Sequence, residues 1–262
     1  MAQSPIMNVM RGAVEKAGRA LRRDFGEIEN LQVSKKGPGD FVTNADLKAE
    51  KILFEELSEA RPGYGFLLEE KGKVEGADKT HRWIIDPLDG TTNFLHGMPH
   101  FAISVALERD GTLVSGMIYN PITDEMFYGE RGQGAYGPSG RLRVAGRQKL
   151  EDCVISSGKL LHDTKNGRLD SPISADDLVP LVGDFRTMGS AALDLAYVAA
   201  GRLDGYVEIG LSPWDMAAGI VLLREAGGLV SDEKNRNKSL QSGNVVAGNE
   251  AVHTALLKHL IK

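Results

Sequence analysis

The sequence predicts a mixed α/β fold in two halves, an α+β half over residues 1–145 and an alternating α/β half over residues 146–262. Three observations predict it. Two amphipathic helical patterns open the chain, apolar strands joined by tight turns fill its middle, and strands alternate with helices from about residue 150. No Pro/Ser-rich linker separates the halves, so they are expected to pack as one compact unit.

The first helix is read over residues 6–25, where Val9, Ala13, Ala17, Ala20, Leu21 and Phe25 recur at spacings of three and four. A loop rich in Gly and Pro follows at 35–40. Asn44 or Thr43 can then cap a second helix to about residue 60, with Ala49, Ile52, Leu53, Leu57 and Ala60 as its buried stripe. Arg61-Pro62-Gly63 ends it. Phe66-Leu67-Leu68 reads as a strand ending in Glu69-Glu70, and Trp83-Ile84-Ile85 as a short buried strand. Residues 101–108, a turn at Asp110-Gly111 and residues 112–119 form a hairpin pattern. Residues 121–124 turn again into 125–128, giving an antiparallel meander. The second half supplies a helix from Ser190 to Gly201, a strand over 206–209 and a helix from Trp214 to Gly227-Gly228. Strands over 229–231 and 245–247 and a last helix from Glu250 complete it.

Composition removes several function classes. With 262 residues, 42% hydrophobic and 26% charged, the chain is globular and long enough to bury roughly 70–75% of its unfolded surface without a disulfide. The single Cys153 suits a reducing cytosol and reads as a small buried hydrophobe. The longest apolar run, 216–223 broken only by Gly219, is far short of the roughly 20 residues that span a bilayer. No signal peptide pattern opens the sequence. Against 36 acidic residues stand 31 basic ones, a net charge of −5, so no direct nucleic-acid binding is expected. The short clusters Arg22-Arg23, Lys35-Lys36 and Arg141/Arg143/Arg147 read as solvated faces. A soluble cytoplasmic protein with no membrane partner is the expectation.

One motif is set aside. Residues 132–137 spell G-x-G-x-x-G, but Pro138-Ser139-Gly140 and a strand pattern follow where a dinucleotide site needs a helix, so the run is read as a turn. The six histidines show no ligand spacing. The informative stretch is 83–94, where a strand delivers Asp86 and Asp89 and the chain turns at Gly90 into Thr91-Thr92. Two carboxylates so placed can grip a hard cation such as Mg²⁺, and a helix start there would offer N–H groups to an anion. An Asp turn with a threonine cap explains the same residues. Glu69-Glu70 at a strand end, Asp215 opening a helix and Asp46 in a first helical turn each have a capping or dipole explanation alone. Together, clustered carboxylates repel unless cations neutralise them, which favours a multi-metal site.

These residues resemble a known family. Asp86-Pro-Leu-Asp-Gly-Thr-Thr-Asn-Phe94 and Trp214-Asp215-Met-Ala-Ala-Gly219 are similar to the two signatures of the inositol monophosphatase family. Glu69-Glu70, Asp40-Phe-Val-Thr-Asn-Ala-Asp46, and Gly189-Ser-Ala191 with Glu208 match its other site segments in order, and the run 189–201 resembles the bacterial branch. Leu68 departs from the Gly or Thr that many members carry there. The resemblance implies a layered αβαβα sandwich and a lithium-sensitive, Mg²⁺-dependent phosphatase, commonly a homodimer. It assigns Glu69, Asp86 and the Leu88 carbonyl to a first Mg²⁺, and Asp86, Asp89 and Asp215 to a second. A third would sit near Glu69 through water. It makes Thr91 and Asp46 orient the attacking water with Glu69, and has Gly90 and Thr91 N–H groups hold the phosphate. Ala191, Glu208 and the outer oxygens of Asp89 and Asp215 would meet substrate hydroxyls, with Lys35 on a loop near the metals.

The expected substrate is myo-inositol 1-phosphate or a similar polyol phosphate, since Glu208 is placed to accept hydroxyl hydrogen bonds. Relatives with nearly the same metal motifs cleave fructose 1,6-bisphosphate, 3′-phosphoadenosine 5′-phosphate or histidinol phosphate. Leu88-Asp89-Gly90-Thr91 also imitates the loop end of haloacid-dehalogenase-type phosphatases, but Pro87 stands where their nucleophilic Asp belongs. An additional role as a protein partner in transcription complexes on ribosomal RNA operons is the alternative from a different class.

Overall fold

Ser4 starts the first helix: its hydroxyl accepts the Met7 N–H at 3.2 Å, and Pro5, which has no N–H to lose, fills the first turn. In the computed structural model, which describes residues 4–27, 33–37, 40–158, 164–165, 168–169 and 178–260, this helix is α1 (Pro5–Phe25). A ribbon of β1 (Val33–Gly37) and β2 (Asp40–Thr43) leads into α2 (Asn44–Ala60), whose cap is Thr43. The inward stripe of α2 differs from the expected one. Ala49, Leu53 and Leu57 are buried as expected, but Ile52 and Ala60 are only half-buried, while Asp46 and Glu50 lie fully inside.

The strands that follow are β3 (Gly65–Leu68), β4 (Gly72–Val74) and β5 (His81–Asp89), then a short α3 (Thr91–Leu95). Next come β6 (Ala102–Arg109), β7 (Thr112–Asn120), β8 (Glu125–Glu130), β9 (Gly134–Gly137) and β10 (Gly140–Arg141). They build one eight-stranded sheet in the order β10-β9-β8-β7-β6-β5-β3-β4. From β6 to β8 it is the expected antiparallel meander, which β5 extends on one side and β9 and β10 on the other, while β3 and β5 run parallel. The glycine run 132–137 is a turn into β9 with no helix after it.

A second sheet contains β11 (Val154–Ser156), β14 (Asp184–Arg186), β15 (Gly205–Glu208), β16 (Leu229–Ser231) and β17 (Val245–Gly248), with β12 (Thr164–Lys165) and β13 (Arg168–Leu169) forming a separate ribbon. Its order is β14-β11-β15-β17-β16, parallel over the first three strands and antiparallel beyond. The other α-helices among the described residues are α4 (Ala191–Ala199), α5 (Pro213–Glu225), the single-turn α6 (Ser239–Ser242) and α7 (Glu250–Leu260).

These elements stack as an αβαβα sandwich. α1 and α2 cover one face of the large sheet, α4 and α5 fill the space between the two sheets, and α7 covers the outer face of the small one. α5 is apolar on every side and all of residues 216–223 are buried, as a helix between two sheets requires. Small residues permit the approach: a Cβ on Gly219 would meet Leu195 Cβ at 2.5 Å, and one on Gly116 would meet Ala218 O at 2.7 Å. Cys153 is buried, its thiol donates to Lys149 O, and burial pushes its pKa up to about 11. No described helix is long and apolar enough to cross a membrane.

Candidate active site

Asp86 and Asp89 are three residues apart, and a regular strand would point them to opposite faces. The pairing of β5 with β6 changes that. Asp86 faces Ser104 and Asp89 faces Ala102, so three steps on β5 match two on β6, and the extra residue is a bulge at Pro87-Leu88. Proline suits such a position because the ladder needs no N–H from it. The bulge brings both carboxylates into electrostatic reach of each other and of Asp215.

The turn beyond the bulge is tightly tied. Leu88 N–H donates to Asp86 Oδ1 at 2.9 Å, and Leu88 O accepts the Thr91 hydroxyl at 3.0 Å. Gly90 takes φ +95°, and a Cβ there would lie 3.1 Å from His100 O and 3.2 Å from Gly189 O. Only glycine fits both demands. Asn93 Nδ2 donates to His100 O at 2.7 Å and Met188 O at 2.8 Å, fixing α3 against the segment that leads to α4.

Three other segments bring acids to this turn, and a fourth acid, Glu208, lies on β15. Glu69 follows β3, whose C-terminal end lies beside that of β5, and its carboxyl is in hydrogen-bond contact with Asp86. Asp46, in the first turn of α2, accepts the Thr43 N–H on Oδ2 at 2.9 Å, the Thr43 hydroxyl on the same oxygen, and the Thr91 hydroxyl on Oδ1 at 3.1 Å. Asp215, in the first turn of α5, accepts the Ser212 N–H at 2.7 Å as half of a capping box. Glu208, buried at the end of β15, accepts the Tyr206 hydroxyl.

Electrostatics single out the centre. Burial pushes the Asp86 carboxyl well above its ordinary range, and Glu69, Asp89 and Asp215 push it further. Asp89 is raised by burial and by Asp215, against the pull of the Ser190 hydroxyl and the Ala192 N–H, both of which donate to its Oδ2. Burial also raises Asp46, opposed by its hydrogen bonds. Among the described residues no three acid, His or Cys side chains already stand in an ion-holding arrangement. The donor set nonetheless has the character of a hard-cation site: four mutually repelling carboxylates and a carbonyl, all oxygen.

The structure therefore brings Asp46, Glu69, Asp86, Leu88, Asp89, Gly90, Thr91 and Asp215 to one turn. Ala191 sits between Ser190 and Ala192, the two residues that hold Asp89, and Glu208 lies near enough to raise Asp194. Lys35 lies in β1, and its side chain is outside the described residues. Sequence reasoning missed Ser190 and Ser212 as donors to the acids, although both are readable as helix caps. It also missed Asp194, which accepts the Ser156 hydroxyl at 2.6 Å and is pushed up to about 7 by burial.

A sequence model of the inositol monophosphatase family matches residues 2–262. An inositol-1-monophosphatase of Mesorhizobium japonicum is 59% identical over 262 residues, covering 100% of this chain and 98% of that protein. The Nus factor SuhB of Escherichia coli strain K12 is 41% identical over 256 residues, covering 98% and 96%. Among solved structures, the extragenic suppressor protein suhB from Bartonella henselae superposes with a TM-score of 0.94 at 54% identity, covering 99% of each chain.

Proposed function

The chain belongs to the inositol monophosphatase family and is an inositol phosphatase; from this premise we propose that it hydrolyses myo-inositol 1-phosphate or a similar polyol phosphate with Mg²⁺. The observation that carries the reading is the bulge that turns Asp86 and Asp89 to one side, facing Glu69 and Asp215 beside the Thr91–Asp46 hydrogen bond. Glu69, Asp86 and the Leu88 carbonyl would hold one Mg²⁺, and Asp86, Asp89 and Asp215 a second, with a third near Glu69. Bound there, the cations supply the positive charge that the phosphoryl group and its leaving alkoxide require.

The chain's own residues do the rest. Thr91 has one hydroxyl proton, shared between Asp46 Oδ1 and Leu88 O, which leaves its lone pairs to accept a proton from the attacking water. Asp46, raised by burial, is a stronger base toward that hydroxyl than an exposed carboxylate, and Glu69 helps orient the same water. Gly90 and Thr91 N–H groups hold the phosphate. Ala191, Glu208 and the outer oxygens of Asp89 and Asp215 receive the polyol hydroxyls, with Lys35 near the metals. Pro87 leaves no side chain for an aspartyl-phosphate route at the first position of a D-x-D loop.

The same reading makes the protein a cytoplasmic homodimer of two halves, 1–145 and 146–262, packed as one unit. Its test is a panel of phosphate esters with Mg²⁺, ranked by kcat/KM and including fructose 1,6-bisphosphate, 3′-phosphoadenosine 5′-phosphate and histidinol phosphate. Inositol 1-phosphate is expected to lead, and a flat or reversed ranking overturns the substrate assignment. Lithium is expected to inhibit at Mg²⁺ levels that support turnover, and turnover unchanged by lithium would contradict the proposed metal arrangement. The 41% identity to a Nus factor supports a second role, contact with transcription proteins. A pulldown with purified transcription factors tests it, and failure to retain any would end that reading.

A further inference from the structure

Helix α2 carries two carboxylates inward, one turn apart. Asp46 meets Thr91, and Glu50, four residues on, lies on the same face. Glu50 has no exposed surface; its Oε2 accepts the Glu70 N–H at 2.8 Å, and its Oε1 has no hydrogen-bond partner. Leucine occupies the neighbouring inward positions 53 and 57, and a leucine at 50 would avoid the cost of a buried acid with an open oxygen. What holds the acid is the backbone of one turn, chiefly the Glu70 N–H bond, with the Lys71 N–H and positive charge adding to it.

That bond fixes a particular peptide. The Glu70 N–H belongs to the planar unit joining Glu69 to Glu70, so an acceptor held on it sets the ψ angle of Glu69 and the direction of that side chain. Glu69 is the residue whose carboxyl meets Asp86. The turn that carries it joins β3 to β4 and has Lys71 on its far side, with its ammonium over the Phe54 ring of α2 at 4.9 Å. One helix thus grips both flanks of the site, Thr91 through Asp46 and the Glu69 turn through Glu50.

We infer that Glu50 is a positioning residue that clamps the Glu69–Glu70 peptide and so aims the Glu69 carboxylate at the metal-binding cluster. This role rests on the Mg²⁺ reading above. Mg²⁺ affinity by calorimetry and exchange of the Glu70 amide test it in three variants. Glu50→Gln keeps an acceptor at the right length and is expected to behave close to wild type. E50D keeps the charge but falls one methylene short, and E50A removes the acceptor. Both are expected to weaken Mg²⁺ binding about 10–100-fold and to speed Glu70 amide exchange, with KM for the phosphate ester unchanged at saturating Mg²⁺. If E50A does not fold, E50D against E50Q decides. Wild-type affinity in E50D, or an E50Q as weak as E50D, overturns the clamp alone. A wild-type protein that takes up no Mg²⁺ overturns the metal reading and the clamp with it.

Discussion

Thr91 reaches two acceptors with a single proton, at 3.1 Å and 3.0 Å, and its contribution should appear in the transition state rather than in substrate binding. Thr91→Ala is expected to lower kcat by about 10²–10⁴-fold with little change in KM. Steady-state kinetics at saturating Mg²⁺ check this, and a raised KM with intact kcat would reduce Thr91 to a binding group. Asp89 is tested by separating stability from activity. Asp89→Asn keeps an acceptor for the Ser190 hydroxyl and the Ala192 N–H but removes one of the repelling charges. Metal-free melts should show equal or higher Tm, while turnover falls by more than the ~10–100-fold typical of losing an outer hydrogen-bond partner. A variant with near-normal turnover would exclude Asp89 as a ligand. The acids at 86, 89 and 215 were readable because each stands next to a strand end or helix start in the chain itself. Glu50 was not, because a Glu in a helix is ordinarily exposed and its partner, the Glu70 N–H, is a backbone group twenty residues away.

At the level of elements, the meander from β6 to β8 was legible through its turns, whereas the parallel pairing of β3 with β5 was not, because no local turn announces a parallel neighbour. The bulge was hidden for the same kind of reason: Asp-Pro-Leu-Asp reads as a turn until its partner strand is known. In the small sheet β15, β16 and β17 were legible, but β11 and β14 escaped, being three-residue strands whose alternation is too brief to register. The central helix offers a direct test of the layer packing. Gly219 lies where a Cβ would press on Leu195 Cβ at 2.5 Å, and neither backbone has room to retreat between two sheets. Gly219→Ala is expected to destabilise the protein by about 1–3 kcal/mol despite alanine's better helix propensity. Urea unfolding measures it, and a stabilised variant would mean that α4 and α5 are free to separate.

At the scale of the molecule, a buried acid sits between the two sheets. Asp194 on α4 accepts Ser156 of β11, and its Oδ1 lies 3.9 Å from Nε2 of His100, which precedes β6; burial holds that imidazole below its ordinary pKa. Burial and the nearby Glu208 hold Asp194 up to about 7, against 3.8 for an ordinary aspartate. The folded state therefore binds this proton more tightly than the unfolded chain, so stability falls as pH rises from about 4 to about 7 and levels off above. Asp194→Asn should flatten that slope, giving a higher Tm than wild type at pH 8 and a difference that shrinks toward pH 4. Melts across that range check it, and an unchanged slope would remove Asp194 as the cause. The sandwiched helix layer has a further consequence, in the order of synthesis. The face of the large sheet that bears Ala102, Ala106, Ile118 and Phe127 is covered by α5, which leaves the ribosome roughly 80 residues after β10, about 4–16 s later at ~5–20 residues per second. For that interval the nascent chain displays an open apolar sheet and the acids at 86 and 89, but neither Asp215 nor the helix that bears it. Closing the sandwich and completing the acid cluster are one late event of translation, and until then the emerging half-protein presents the kind of exposed apolar sheet that chaperones shield.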